Sequence, residues 1–278
     1  MPWLPELFSA PVLERIRSQA GAGMRTVPYF DGIRSGETNA LVASFAGQPE
    51  LHHPVRGRVK GRHAFERYVA DTNAWLSEVN AVITAVDTVT TPRREVGEAV
   101  VTLDANEGRI ELPMALASDR DHDGLIEELR LYYSSWPLTG HHAVRPPVLQ
   151  PGPHVHESGA VGYYQRALAA GDAEAAVAAF EPDGSVREPA GGAYVHRGRD
   201  QIAALYERMF SNGGGIPLEH CLVTDDGRAC ALEYNVVRWG RTDLPPQAGI
   251  SVYARGESGK LASARIYDDC EPPINHQG

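Results

Sequence analysis

The amino-acid sequence repeats itself after 135 residues, and this internal repeat constrains the fold more than any other feature. Residues of the same type coincide under the shift early in each copy: Tyr29 with Tyr164, Gly36 with Gly171, Phe45 with Phe180 and Pro54 with Pro189. The match returns late in each copy, where Arg130 coincides with Arg265. A period of this length equals a whole domain and exceeds a solenoid unit. We therefore predict two copies of one domain.

The composition excludes several classes of partner. The chain has 278 residues, is 42% hydrophobic and carries a net charge of −10. Such acidity argues against nucleic acid or an anionic membrane as a partner, because both are bound by clustered Lys and Arg. The first residues have no basic region followed by an apolar core, and no apolar run reaches membrane-spanning length. The three cysteines form no CxxC pair, so we expect reduced thiols and a cytoplasmic protein.

Proline, glycine and the repeat together suggest the domain boundaries. We predict a helical arm over residues 1–24, a first domain over 25–139, a Pro/Gly/His-rich linker over 140–158 and a second domain over 159–274. The linker histidines have no cysteine or carboxylate at ligand spacing, so we expect no metal there: His141, His142, His154 and His156. No dinucleotide, P-loop or HExxH motif occurs, and we expect no cofactor.

Each copy shows the same order of secondary-structure signals. A first helix ends at Gly36 or Gly171, and Thr38 or Asp172 caps the next helix. A short strand ends at a proline, a Gly-Arg pair opens a third helix, and strands joined by hairpin turns follow. The pattern predicts an α+β fold: two tandem cones, each with three helices packed on a curved antiparallel sheet and one open mouth.

The segment YYQRALAAGDAEAAVAAFEPDGSVREPAGG, residues 163–192, carries a resemblance to a known fold family. It resembles the NTF2-like fold, and within it the SnoaL-like and ketosteroid-isomerase-like proteins. The resemblance implies that Glu188 is a catalytic carboxylate and that Tyr164 donates to an oxyanion. Ser251 stands where that family has its second oxyanion donor. The fold hosts many activities, so the resemblance is more specific for architecture than for reaction.

The tandem arrangement also resembles the two-domain epoxide-opening cyclases of polyether biosynthesis. That resemblance implies a second acid on the strand after the third helix, where Glu219 is the candidate and His220 its competitor. In the first copy the tyrosine is kept as Tyr29, but His53 occupies the position of the acid, and the second acid is either Glu78 or missing, since Asn80 stands there. A histidine at this position is either a base or a buried structural residue.

Two further sets of residues are candidates for the cavity wall. Glu233 and Asn235 share one face of a strand, which either lines the cavity or faces water. Asp268 and Asp269 close the last long strand, and adjacent acids point to opposite faces. We assign substrate binding to Asp269, together with Ser251, Glu233, Asn235 and Trp239.

These residues predict a cofactor-independent acid–base enzyme. A carboxylate in an apolar cone is desolvated, which raises its pKa toward neutrality and suits it to proton transfer. We expect ring formation on an apolar polyketide- or isoprenoid-derived metabolite by epoxide opening, as a cyclase or hydrolase, with the second domain as the catalytic one. The alternatives are an enolate isomerase or aldol cyclase, and a non-catalytic small-molecule binding module. The tandem would form an intramolecular pseudo-dimer, with a homodimer as a further alternative.

Overall fold

The computed structural model describes residues 38–105, 108–153, 155, 157, 159–192 and 194–273. The contacts between described residues divide the chain into two compact units, with the division between Tyr133 and Ser134. The predicted N-terminal arm, the first helix of the first copy, Tyr29, His154 and His156 lie outside the described residues. Among the described residues, none of the helices combines the length and apolar character needed to cross a membrane.

The first unit contains two helices and six strands among its described residues. In chain order they are α1 (Thr38–Ala43), β1 (Glu50–His53), β2 (Gly57–Lys60), α2 (Arg62–Glu78), β3 (Val82–Thr90), β4 (Arg94–Ala105), β5 (Gly108–Arg120) and β6 (Ile126–Tyr132). The strands form one sheet in the order β2-β1-β6-β5-β4-β3. Leu41, Phe45, Phe65 and Tyr68 from the helical layer are buried against this sheet.

The second unit has the same plan. Its elements are α3 (Trp136–Thr139), α4 (Gly159–Ala170), α5 (Ala173–Ala178), β7 (Phe180–Arg187), β8 (Val195–Arg197), α6 (Gly198–Met209), β9 (Leu218–Asp225), β10 (Ala229–Trp239), β11 (Thr242–Arg255) and β12 (Leu261–Ile266). The sheet order is β8-β7-β12-β11-β10-β9, which repeats the order of the first sheet.

The α+β class with two tandem cone-like units is therefore confirmed, with one refinement. In each sheet one described pairing is parallel, β1 with β6 and β7 with β12, while the other described pairings are antiparallel. The sheets are thus mixed. Neither β1 and β6 nor β7 and β12 are joined by a hairpin, because four strands and a helix lie between the two partners in the sequence.

The two sheets also share their strand register, and this makes residue-by-residue comparison possible. Ala99 lies opposite Met114 in the first sheet, and Tyr234 lies opposite Gly249 in the second. The parallel pairing repeats as well, with Leu51 beside Leu129 and Val186 beside Ala264. Each of these positions differs from its counterpart by the same shift as the sequence repeat. The sequence repeat is therefore a repeat of structure.

Local signals read from the sequence explain the helix ends in the second unit. Gly171 follows the last residue of α4 with a φ of 72°, the left-handed conformation that glycine adopts without strain. A Cβ atom there would meet the backbone of Gly214 at 2.6 Å, so the close approach also requires glycine. Asp172 then caps α5, because its carboxylate accepts a hydrogen bond from the backbone N–H of Ala175.

Residues 134–153 include much of the predicted linker, belong to the second unit and contact its sheet closely. The backbone N–H of Gly152 donates to the carbonyl of His220 at 3.0 Å, and the carbonyl of Arg145 accepts from Ala248 at 2.9 Å. The Leu149 carbonyl accepts a hydrogen bond from the Asn235 side chain at 3.2 Å. These contacts hold the segment against β9, β10 and β11.

Candidate active site

The second unit encloses a cavity of about 150 Å³ between its helices and the inner face of its sheet. A cavity of that volume admits a small ring such as benzene. Most of the wall is apolar, with Leu168, Ile216 and Val236 among its residues. The polar side chains on this wall are the ones that can do chemistry, and they include Asp268, Glu188, Tyr234, Tyr164, Ser251, Tyr194 and His142.

Asp268 is the acid most strongly affected by the cavity. It lies two residues beyond the end of β12, and burial raises its pKa to about 6. The neighbouring Asp269 carboxylate adds to this rise, while hydrogen bonds from the Tyr234 hydroxyl and the Cys270 backbone N–H oppose it. A carboxylic acid with a pKa near 6 exchanges protons efficiently at neutral pH.

Two hydroxyl groups form a hydrogen-bonded chain that ends at Asp268. The Tyr234 hydroxyl donates to Oδ2 of Asp268 at 2.8 Å, and the Ser251 hydroxyl lies 3.0 Å from the Tyr234 oxygen. Because Tyr234 has a single proton and uses it on the carboxylate, Ser251 donates to Tyr234 when Asp268 is ionised. Burial and the nearby Asp268 charge raise the pKa of Tyr234, so the phenol stays protonated. The three side chains form a short proton relay.

Gly249 makes room for this relay. It lies directly across from Tyr234 on the neighbouring strand. A Cβ atom at position 249 would come within 2.6 Å of the Tyr234 ring and 2.8 Å of the Asp268 Cβ atom. Neither contact is tolerable without a shift of the ring or of the acid. Glycine at this position therefore allows a large aromatic side chain and a carboxylate to lie side by side.

Glu188 also lines the cavity, as the sequence predicted, and its surroundings are more polar. The Glu188 side chain is 22% exposed, and its Oε1 lies 2.6 Å from Nε2 of His196. A guanidinium nitrogen of Arg208 donates to the same oxygen at 3.1 Å. The proline that follows, Pro189, lines the cavity too. The cavity therefore contains two carboxylates in different environments: Asp268 is hydrogen-bonded to a tyrosine hydroxyl, and Glu188 is paired with His196 and Arg208.

Tyr164 reaches the cavity from α4. Its hydroxyl lies 2.8 Å from the Tyr206 hydroxyl, and both phenols are buried. Burial raises the pKa of Tyr164, so it remains a neutral hydrogen-bond donor throughout the physiological pH range. When Tyr206 donates to Tyr164, the Tyr164 proton is available to an oxygen of a bound ligand.

The remaining predicted residues are divided between the cavity and other places. Ser251 and Trp239 line the cavity, and the Trp239 indole N–H is used on the Met209 carbonyl at 2.7 Å. Glu219, Glu233, Asn235 and Asp269 are outside the cavity wall that the described residues form. Glu219 is exposed, whereas Glu233 and Asn235 are buried on the strand face opposite Tyr234.

His53 of the first unit has a structural environment. Its Nδ1 accepts hydrogen bonds from the backbone N–H groups of Val55 and Arg56, both at 3.1 Å, and this closes the turn after β1. Its ring packs edge-on against Tyr68 and Tyr133 at centroid distances of 5.5 and 5.7 Å. Nδ1 is therefore occupied as an acceptor. This geometry fits the interpretation of His53 as a buried structural residue and not as a base.

Sequence reasoning left Asp268 unassigned and missed Tyr234 as a site residue. Asp268 and Asp269 are adjacent, so strand alternation shows that one of them faces inward without showing which. Tyr234 shares a strand face with Leu232 and Val236, and among them it resembled an ordinary core aromatic. The signal that could have singled it out is Gly249, a glycine inside a strand, which often marks a close approach.

Two groups of side chains among the described residues of the first unit bring possible metal ligands together, and one of them, Asp121, His122 and Asp123, lies in the turn between β5 and β6. The ligand atoms of Glu50, His52 and Glu128 lie within 4.8 Å of one another. Cations of the protein already neutralise this cluster, however: Lys60 lies 2.7 Å from Glu50, and Arg130 lies 2.8 Å from Glu128. The geometry is that of an ion-pair network on the sheet.

Comparison with known proteins agrees with the fold of the second unit. Residues 160–264 match the family model of the SnoaL-like domain. The second unit is therefore similar to the SnoaL-like domain over these residues, and the first unit repeats the strand order and register of the second. No curated protein is similar enough in sequence to count as a relative.

Solved structures similar to this chain include three that each cover less than half of it. A cystatin-fold protein from Novosphingobium aromaticivorans is 16% identical over 38% of this chain and 93% of its own, with a TM-score of 0.34. The epoxide hydrolase/cyclase-like enzyme SalBIII of salinomycin pyran ring formation is 17% identical over 37% and 82%, with a TM-score of 0.31. A ketosteroid-isomerase-like protein from Catenulispora acidiphila, in complex with trimethylamine, is 20% identical over 40% and 86%, with a TM-score of 0.34.

Proposed function

We propose that the second unit is a cofactor-independent acid–base enzyme that forms a ring on an apolar metabolite. The observation that carries this proposal is the environment of Asp268. Its carboxyl group has a pKa raised to about 6, lies on the wall of an apolar cavity and is aligned with two hydroxyl groups. A purely structural acid does not need such a setting, whereas proton transfer at neutral pH does.

Opening of an epoxide uses both acids of the cavity. About a tenth of Asp268 is protonated at pH 7 when its pKa is near 6, and this form gives its proton to the oxirane oxygen as the C–O bond breaks. Glu188 accepts the proton of the attacking hydroxyl group as the new C–O bond forms. An internal hydroxyl yields a cyclic ether and water yields a diol. Afterwards Asp268 has lost the proton that Glu188 has gained, and exchange with solvent restores both groups.

The apolar wall limits the class of substrate. A hydrocarbon-rich polyketide or isoprenoid chain gains free energy from burial against Leu168, Ile216 and Val236, whereas a sugar or nucleotide leaves polar groups unsatisfied there. The volume of about 150 Å³ accommodates the reacting ring, and longer parts of the substrate extend through the mouth.

A second candidate reaction is proton transfer beside a carbonyl, as in an enolate isomerase or an aldol cyclase. The observation that favours it is the Tyr164–Tyr206 hydroxyl pair, which provides a buried donor for a developing enolate oxygen. The major, ionised form of Asp268 would then act as the base. The third candidate function of the same apolar cavity is non-catalytic binding of a small molecule.

Incubation with matched substrates separates the three functions. We expect the full-length protein to convert hydroxy-epoxides of polyketide type into cyclic ethers, detected by mass spectrometry and NMR. Conversion of enones or diketones instead, with deuterium incorporation next to the carbonyl, supports the enolate reaction. Binding of these compounds without turnover supports the non-catalytic binding module. Glu219→Gln serves as a control, because it removes an exposed acid outside the cavity.

A further inference from the structure

A carboxylate–histidine pair at the cavity has no role in the function proposed so far. Asp269 accepts five short hydrogen bonds: from the Ser134 hydroxyl at 2.5 Å, the Ser135 N–H at 2.9 Å and hydroxyl at 2.6 Å, the Ala143 N–H at 2.8 Å and His142 Nδ1 at 2.9 Å. Such a number of donors fixes both oxygens of the carboxylate.

The donors keep Asp269 ionised. Burial by itself would raise its pKa, but the hydrogen bonds from His142, Ser134 and Ser135 outweigh burial and hold the pKa of Asp269 below its usual value. A carboxylate offers no proton to a neighbouring imidazole. His142 must therefore donate from Nδ1, and its neutral form carries its lone pair on Nε2.

The ring of His142 belongs to the wall of the same cavity as Asp268. Trp136 stacks on it, with a centroid distance of 6.5 Å and an interplanar angle of 29°, so the ring is held on one face as well as at Nδ1. The two groups also influence each other, since positive charge on His142 lowers the pKa of Asp268. His142 and Asp268 thus lie on one wall of the cavity.

We propose that His142 is a further proton-transfer residue of this cavity and that Asp269 is the residue that positions it. This inference rests on the proposed function for the type of reaction and assigns a group that takes part in it. Glu188 accepts the proton of the attacking hydroxyl, as proposed above, and Asp268 protonates the departing oxygen. Nε2 of neutral His142 then takes a proton from solvent, and the imidazolium that results is stabilised by Asp269 and passes this proton to Asp268, which restores the acid.

Chemical modification tests the geometry without any substrate. Diethyl pyrocarbonate acylates an imidazole nitrogen that carries a lone pair, and the modified residue is identified by peptide mass spectrometry. We expect His142 of the full-length protein to react and 2-naphthol, an apolar ring used as a probe for the cavity, to slow its modification at least tenfold. The exposed His141 should react at the same rate with and without 2-naphthol.

Histidine ¹⁵N NMR tests the role of Asp269. We expect neutral His142 to be the Nδ1–H tautomer in the wild type, and a mixture of tautomers in Asp269→Asn. An Nε2–H tautomer in the wild type, or a His142 that resists acylation while His141 reacts, overturns the inference. Binding of 2-naphthol is checked by quenching of tryptophan fluorescence. If 2-naphthol binds but does not slow the modification of His142, the inference is overturned as well.

Turnover measurements complete the test once a substrate is converted. His142→Asn keeps a donor for Asp269 but cannot accept a proton, and we expect kcat to fall about a hundredfold with KM little changed. His141→Asn is the matched control. Restoration of activity to His142→Gly by added imidazole supports the role, whereas a kcat of His142→Asn equal to that of His141→Asn overturns it. If the wild type converts no substrate, the proposed function fails, and the modification and tautomer results still decide the geometry.

Discussion

The two units share one scaffold and differ in what fills it. At equivalent positions of the shared register, the second unit has Tyr234, Gly249, Ser251 and Asp268, and the first unit has Ala99, Met114, Leu116 and Tyr133. Each polar group of the relay in the second unit therefore has an apolar or aromatic counterpart. Both copies have the same sheet, whereas the hydrogen-bonded group of Tyr234, Ser251 and Asp268 is a feature of the second.

The exchange of side chains across the central strands also preserves volume. A large tyrosine faces a glycine in the second unit, and a small alanine faces a methionine in the first. Cores tolerate substitutions best when the total volume stays constant. In the first unit the described residues His53, Tyr68 and Tyr133 pack ring against ring, which favours stability over proton transfer.

The largest expected effect comes from removing the buried acid of the second unit. Asp268→Asn should lower kcat by about 10²- to 10⁴-fold, because the amide cannot exchange the proton that the acid supplies. Its counterpart in the first unit, Tyr133→Phe, should leave kcat unchanged. Steady-state kinetics on a converted substrate measures both, and equal losses in the two variants would contradict the assignment of catalysis to the second unit.

The second acid offers the next comparison. Glu188→Gln should also abolish most turnover, while the melting temperature changes little because the side chain is partly exposed. His53→Ala should leave turnover intact and lower the free energy of unfolding by about 1–3 kcal/mol, since two backbone N–H groups lose their acceptor. Loss of activity in His53→Ala alone, with the fold intact by circular dichroism, would mean that the first unit is the catalytic one.

The glycine opposite Tyr234 gives a smaller effect on kcat. Gly249→Ala forces the tyrosine ring or Asp268 to move, and we expect a fall in kcat of about tenfold or more as the relay loses its alignment. Met114→Leu, a volume-conserving change at the equivalent position, should not affect kcat. Enzyme kinetics together with the pKa of Asp268 from carboxyl ¹³C NMR separates lost alignment from lost folding.

The smallest effect is the pH dependence of stability. The pKa of Asp268 is raised in the folded protein, so its protonated form is favoured by folding. Its contribution is fully present below about pH 4 and is lost as the pH rises through about 6, with a total of no more than about 3 kcal/mol. Urea unfolding of the wild type and Asp268→Asn between pH 4 and 7 should show this slope in the wild type alone. An identical slope in both proteins would show that Asp268 titrates normally.

Much of the fold followed from local patterns. The shift of 135 residues predicted the duplication, and the glycine at 171 and the aspartate at 172 predicted helix ends. Of the candidate residues, Glu188, Tyr164, Ser251 and Trp239 lie on the cavity wall. Glu188, Tyr164 and Ser251 were assigned because the resemblance to ketosteroid-isomerase-like proteins implies them, and not from periodicity.

The parallel pairing of β12 with β7 and the place of residues 134–153 could not be predicted in the same way. Both depend on segments that are far apart in the sequence, and no local period encodes such pairing. Trp136 and His142 belong to residues 134–153, so their place on the cavity wall could not be predicted either. A proline-rich stretch resembles a spacer until its contacts with a sheet are known.

The sequence by itself determined that one α+β domain occurs twice and that the acid position of the second copy became a histidine in the first. Only the tertiary structure decided which of the two adjacent acids faces the cavity. It also placed them in opposite environments, because burial raises the pKa of Asp268 whereas five hydrogen-bond donors keep Asp269 ionised. The physical reason is that the charge of a carboxyl group is set by desolvation and by neighbours that folding brings together from distant parts of the chain.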